Sequence, residues 1–219
     1  METGETLQAL KTKETGLTQE EAQKRLIEFG PNELKKEKGI SPIKLLLEQF
    51  TDILIIILLI ATGLSIYLGE LTDAIVIIAI VLACAILGFT EEYRSEKALE
   101  ALKKMTAPTA TVLRDGKDVK VQASEIVPGD VILLYTGDKV AADARVIETI
   151  NLKTDEAPLT GESTPVNKTA DPLPEHTALP ERRNTVFTGT VVVYGRGKAA
   201  VTSTGMNTEF GKIAKMVQV

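Results

Sequence analysis

The sequence predicts an α+β chain: a transmembrane helical hairpin joined to a small antiparallel β-sandwich or jelly-roll-like domain, with short helices at the N-terminus. Three observations carry this. Phe50 to Leu68 and Leu71 to Phe89 are apolar runs of bilayer-spanning length, roughly 17 to 25 residues. From Thr109 onward the chain turns into short β-rich runs divided by turn residues. Ahead of the apolar runs lies a short segment with helix signals at both ends.

In that N-terminal segment, Thr18 and Glu21 have capping-box spacing, Ala22, Leu26 and Ile27 supply a partial apolar stripe, and Gly30-Pro31 stops the helix. Asn32 to Pro42, lysine-rich with Gly39, reads as a linker. Between Ile53 and Leu68 the first apolar run has 11 Ile and Leu. At roughly −0.3 to −0.6 kcal/mol each, these favour insertion by about −3 to −6 kcal/mol before polar offsets. Gly69-Glu70 leaves a very short turn, so the two runs form one antiparallel hairpin. Lys35, Lys36, Lys38 and Lys44 precede it and Arg94, Lys97, Lys103 and Lys104 follow it, which places both flanks in the cytoplasm by the positive-inside rule. The expected location is integral to a membrane, with the lipid bilayer as a partner and the N-terminus and β-domain cytoplasmic. An acidic, polar stretch before the first apolar run argues against a secretory signal.

Glu91 to Met105 keeps helical character as a stalk, with Glu100 and Lys104 at attractive i,i+4 spacing, and Pro108 ends it. Asp115-Gly116 marks a hairpin between Ala110–Arg114 and Lys117–Gln122. Val131–Tyr135 and Ala144–Glu148 read as further strands. Thr185–Tyr194 and Lys198–Ser203 read as a hairpin around Gly195-Arg196-Gly197, and Asn207 to Val219 returns to helical spacing. The expected organisation is residues 1–42, N-terminal helical segment and linker; 43–107, membrane hairpin and stalk; 108–206, β-domain; 207–219, helical linker.

Several residue types invite a chemical reading. Cys84, the single cysteine, sits within the second apolar run and reads as packing. Asp130, Asp138 and Asp143 would suit a divalent metal, but their Pro-Gly-Asp and Gly-Asp contexts fit backbone-capping turns. His176 lies in a Pro-rich loop without a second His or nearby Cys and reads as solvated. Gly195-Arg196-Gly197-Lys198 lacks phosphate-loop spacing. Asp73 lies near the hairpin turn at the interface; Glu48 and Asp52 either gather cations at the mouth of the first span or favour a helix start near Phe50. A net charge of −5 without a basic patch interleaved with aromatics argues against a nucleic-acid partner. Asp155 to Pro165 (DEAPLTGESTP) is rich in turn formers and reads as an exposed loop. In it, Thr160-Gly161-Glu162-Ser163 offers a carboxylate after a glycine, suited to entering a partner's site and orienting or deprotonating a water. Alone, that tetrapeptide reads as an ordinary turn with a solvated carboxylate.

The ordered set decides between these. Gly-Leu-Thr through Phe-Gly-Pro-Asn-Glu-Leu (residues 16–34), the apolar hairpin, Val127-Pro128-Gly129-Asp130, Gly137-Asp138-Lys139-Val140, Ala142-Asp143, Leu159-Thr160-Gly161-Glu162-Ser163 and Phe187-Thr188-Gly189-Thr190 follow one another. This order resembles the N-terminal region of type II P-type ATPases, calcium pumps above all. The resemblance implies that the β-domain is an actuator domain and that Thr160, Gly161, Glu162 and Ser163 are catalytic. Their loop would dock on the phosphorylation domain, where Glu162 activates the water that hydrolyses an aspartyl-phosphate, and rotation of the domain would couple hydrolysis to ion gating. Implied partners are the phosphorylation and nucleotide-binding domains of the same pump and the transported cation. ATP and Mg2+ are implied for the full-length pump, with no cofactor or metal assigned to this chain. Ala141, Ala157, Pro158 and Thr51 depart from the usual pattern. No Asp-Lys-Thr-Gly-Thr motif occurs in the 219 residues, so the chain reads as a fragment, inactive alone. Its expected function is the N-terminal portion of an ATP-driven Ca2+ pump. The alternatives are a pump for H+, Na+/K+ or Mg2+, or a non-enzymatic membrane-anchored regulator.

Overall fold

The computed structural model describes residues 2–34, 41–105 and 108–217. They divide into two compact units, one drawn from Met1–Lys35 and Ala107–Val219, the other from Lys36–Thr106.

The second unit is helical. It comprises α3 (Pro42–Gln49), α4 (Ile53–Tyr67) and α5 (Leu71–Met105); in chain order these follow α1 (Thr3–Ala9) and α2 (Gln19–Phe29) of the other unit. The first apolar run is not one straight span from Phe50, because α3 and α4 are separate helices bent by 58°. The break lies at Asp52, whose carboxylate accepts the Leu54 N–H at 2.8 Å and so starts a new helix. Of the two roles open to Asp52, the structure shows the helix start. Glu48 lies beside Lys44, at 3.6 Å, on an exposed face. Among the described residues one helix, over Leu71–Leu99, is long and apolar enough to cross a membrane, and the bent pair α3–α4 would make a second. Gly69 (φ 83°) closes the short turn, and α4 packs on α5 through buried Ile55, Val81 and Ala85 with Leu58, Ile77 and Cys84 beside them. Cys84 is thus a packing residue. α5 carries the apolar run on into the stalk as far as Met105. Lys35, Lys36 and Lys38 and the Glu100–Lys104 pair lie outside the residues and side chains described.

The first unit is built on one antiparallel sheet of seven strands: β1 (Thr109–Arg114), β2 (Lys117–Gln122), β3 (Val131–Tyr135), β4 (Asp143–Asp155), β5 (Val166–Asn167), β6 (Thr185–Val186) and β7 (Val191–Ser203). Their spatial order is β2-β1-β3-β7-β4-β5, with β6 on β4. β1 and β2 turn at Asp115 (φ 51°) and Gly116 (φ 72°), the paired positive φ values that an Asp-Gly hairpin requires. β4 and β7 are each 13 residues long and pair along their length with several register shifts. Such bulges bend long strands. Residues from β1, β3, β4, β6 and β7, among them Val112, Ile132, Val146, Val186 and Val201, meet in one buried core.

The hairpin expected around Gly195-Arg196-Gly197 does not exist. β7 runs straight through these residues, pairing with β3 on one side and β4 on the other. The glycines serve close backbone approach instead of a turn. A Cβ on Gly197 would lie 2.6 Å from the Glu148 carbonyl oxygen, and one on Gly195 would collide with Asn151, itself at φ 53°. β4 likewise extends well past the expected Glu148, since positive-φ Asn151 interrupts its alternation without ending its pairing.

The N-terminal residues fold against this sheet. Thr18 caps α2 by accepting the Glu21 N–H at 3.2 Å, and Gly30 (φ 77°) ends it. The buried face differs from the expected stripe. Ala22 and Leu26 pack with Leu17 and Val127, but Ile27 is 87% exposed and Arg25 turns inward. Ile27 lies about 140° around the helix from Ala22, whereas Arg25 and Leu26 flank its line. Arg25 donates to the Leu10, Lys11 and Pro128 carbonyls at 2.8 to 3.0 Å. It thereby satisfies carbonyls just beyond α1.

The closing helix α7 (Glu209–Val217) is also held at a distance. Asp143, at the start of β4, accepts the Glu209 N–H at 2.7 Å and the Thr188 N–H at 2.8 Å. Burial pushes its carboxyl above the usual aspartate range, nearby Glu209 adds to that, and the two amide donors oppose it. A carboxyl raised on folding contributes stability that is complete below the unfolded value and lost as pH rises through the folded one. Asp143→Asn removes this titration. Thermal unfolding of both proteins is therefore expected to show wild type losing stability relative to the variant as pH climbs out of the usual aspartate range; parallel pH profiles would contradict it.

Candidate functional site

Asp155 ends β4 and accepts the Ala157 N–H at 3.0 Å on its side chain, starting a one-turn helix, α6 (Ala157–Thr160). The Glu156 carbonyl accepts the Leu159 and Thr160 N–H groups, each at 2.9 Å, and the Thr160 hydroxyl at 3.1 Å. Gly161, at φ 78° and ψ −2°, then reverses the chain in the left-handed region. Residues other than glycine are disfavoured there, so the reversal explains the Gly in this tetrapeptide. Glu162 follows with its N–H donating to the Thr160 hydroxyl at 3.3 Å.

Glu162 and Ser163 are exposed, and the Glu162 carboxylate makes no hydrogen bond or ion pair with any described residue. Thr160 and Gly161 supply the geometry; Glu162 supplies an uncommitted carboxylate at the tip. The four residues expected from sequence therefore share one turn.

Beneath the tip the expectation of a wholly exposed loop fails at Glu156, which is 1% exposed and forms an ion pair with buried Lys168. The Thr154 hydroxyl donates to Glu156 Oε1 at 2.9 Å. Lys168 Nζ lies 5.3 Å from the Phe187 ring centroid, and the Lys168 main-chain N–H donates to the Leu152 carbonyl at 2.8 Å. Burial holds the Lys168 ammonium below the usual lysine range, with Glu156 opposing the shift. Sequence reading missed this pair. Its available signal was a lysine following the short strand β5, and local pattern does not join that lysine to an acid on the far side of the turn.

The other candidates resolve into structure. Asp138 accepts the Tyr135 N–H at 2.9 Å, and Asp130 pairs with Arg114, so these aspartates serve turns and the core. Lys198 stands on β7 beside Glu148, at 2.6 Å. His176 is exposed on its loop. A solvated carboxylate on a braced turn has the chemistry of half a site. It can orient or deprotonate a water only where a second surface supplies the reacting group.

Comparison with known proteins gives both parts of the chain a family. Residues 104–218 match the P-type ATPase actuator domain, and residues 1–65 match the cation transporter/ATPase N-terminus. The chain belongs to the P-type ATPase family. It is 45% identical over 204 residues to a calcium-transporting ATPase of Bacillus subtilis (strain 168), covering 93% of this chain and 23% of that protein. To a calcium-transporting ATPase of Listeria monocytogenes it is 43% identical over 214 residues, 98% of this chain and 24% of that protein. A sodium/potassium exporting P-type ATPase of Schizosaccharomyces pombe is 41% identical over 202 residues, 91% of this chain and 20% of that protein. The chain thus spans between a fifth and a quarter of the length of these relatives.

Proposed function

We propose that the chain works as the actuator and transmembrane-hairpin portion of an ATP-driven cation pump, with Ca2+ the transported ion. The observation that carries this reading is the uncommitted carboxylate of Glu162 on a turn of the family's actuator domain. On this reading the turn enters the phosphorylation domain of the same pump, and Glu162 orients and deprotonates the water that attacks the aspartyl-phosphate. Thr160 and Gly161 hold it there, with Ser163 alongside. The β unit and the N-terminus lie in the cytoplasm, supported by the basic residues flanking the apolar runs, and motion of the β unit gates the ion path.

ATP and Mg2+ serve the phosphorylation and nucleotide-binding domains. Among the described residues no group of three or more His, Cys, Asp or Glu is suited to an ion, and Gly195 and Gly197 lie within a strand. Calcium is favoured by the relatives named for it; the relative named for sodium and potassium makes the ion a matter for measurement. The test is phosphorylation of the complete transporter from ATP across Ca2+, Mn2+, Na+, K+ and Mg2+. Selective stimulation by Ca2+ is expected. Stimulation by another ion overturns the choice of calcium, and no ion-dependent phosphorylation overturns the pump reading.

A further inference from the structure

We infer that Glu156 and Lys168 are positioning residues for Glu162, their buried ion pair clamping the base of the β4–β5 turn so that Thr160–Ser163 presents its carboxylate in one place. This rests on the reading of that turn given above.

The two residues enclose the turn. Glu156 lies past the rung where Thr154 pairs with Val166, on the side of the turn, and Lys168 past the rung where Lys153 pairs with Asn167, on the side of the sheet, so their side chains meet across the short β4–β5 ladder. Both side chains are at most 1% exposed. Removing two charges from water carries a desolvation cost that their attraction often fails to exceed, and an apolar pair would close the limbs at least as stably. What the ion pair adds is direction. Its acid is held at one oxygen by the Lys168 ammonium and the Thr154 hydroxyl, while Lys168 is seated over the Phe187 ring and donates to the Arg182 carbonyl at 3.5 Å.

Glu156 also has a second role outside the core. Its main-chain carbonyl accepts three hydrogen bonds from Leu159 and Thr160, and the Thr160 hydroxyl in turn accepts the Glu162 N–H. One residue therefore links the buried charge to the tip. A shift of the Glu156 side chain moves the carbonyl on which α6 is hung, and catalytic groups misplaced by about 1 Å lose on the order of a hundredfold in rate.

The test uses Glu156→Gln, Lys168→Met and the apolar double variant Glu156→Leu/Lys168→Met in the complete transporter, with Glu162→Ala in parallel. Each pair variant is expected to slow hydrolysis of the phosphorylated intermediate by about ten- to a hundredfold while its formation from ATP keeps the wild-type rate. The double variant should regain thermal stability without regaining hydrolysis. Hydrolysis that returns together with stability, or formation and hydrolysis that fall together, would reduce the pair to a structural role and overturn the inference. If Glu162→Ala slows hydrolysis and the pair variants do not, the inference alone fails; if Glu162→Ala has no effect, the reading of the turn fails and the inference with it. Hydrogen exchange on this chain carrying Glu156→Gln gives a readout independent of turnover. Amides 159–162 are expected to exchange about tenfold faster, with the β4·β7 amides unchanged; unaltered exchange at the turn, or acceleration across the whole sheet, overturns it.

Discussion

In the complete transporter, Glu162→Ala is expected to leave formation of the phosphorylated intermediate intact and to slow its hydrolysis by about 10²- to 10⁴-fold, the range a positioned acid–base group supplies. The separation of the two steps follows from where Glu162 sits. Its carboxylate makes no bond to the described residues, so its removal leaves the fold and the turn as they are. Gly161 retains its left-handed conformation, and Thr160 stays bonded to the Glu156 carbonyl. Only a function exercised on another surface is lost. Glu162→Gln sharpens the result, because the amide can still orient a water but does not take its proton. Near wild-type hydrolysis in the glutamine variant would assign orientation alone. Decay of a radiolabelled phosphorylated intermediate after a chase with unlabelled ATP measures the step, and unchanged decay in Glu162→Ala would remove Glu162 from the mechanism.

The second large effect is on stability. Asp130→Ala should destabilise the β unit by about 3–5 kcal/mol, the cost of leaving one member of a buried ion pair alone. Asp130 is 0% exposed and holds Arg114 with two bonds, Nε to Oδ1 at 3.0 Å and Nη2 to Oδ2 at 2.7 Å. It also accepts the Val127 N–H at 3.0 Å. The Arg114 guanidinium further donates to the Glu125 carbonyl and to Gln19 of α2, while the Arg114 backbone bridges to Leu17. The loss should therefore reach the N-terminal residues, appearing as early proteolysis there. Asp130→Leu with Arg114→Met should cost less than either single change, since no unpaired charge remains. Denaturant unfolding of the chain measures each variant; a loss below about 1 kcal/mol for Asp130→Ala, the range of an exposed pair, would refute this account.

Where a structural signal is carried by residues adjacent in the chain, it was legible. Asp115-Gly116 makes its hairpin because both positions need positive φ, and Thr18 and Gly30 bound α2 because caps act within one turn of the helix end. The apolar runs, the stalk helix and the Thr160–Ser163 turn were legible for the same reason. Where two chain segments had to meet, the local pattern misled. Gly195 and Gly197 suggest a turn by composition, and only the approach of β4 shows why they lie inside a strand. Ile27 suggests a buried face, but Arg25 takes that face because the Leu10, Lys11 and Pro128 carbonyls are waiting for donors.

The sequence by itself determined where the turn lies, for Thr160, Gly161, Glu162 and Ser163 stand side by side and the hydrogen bonds that close it run to Glu156, Ala157 and the Thr160 hydroxyl, all within six residues of the tip. Tertiary structure alone decided what braces them. Glu156 finds Lys168 across the turn, and Asp143 finds the N–H of Glu209, 66 residues away. The reason is physical: a buried polar group must be paired, but its partner is set by strand register and bulges, which depend on long-range packing that no local pattern encodes.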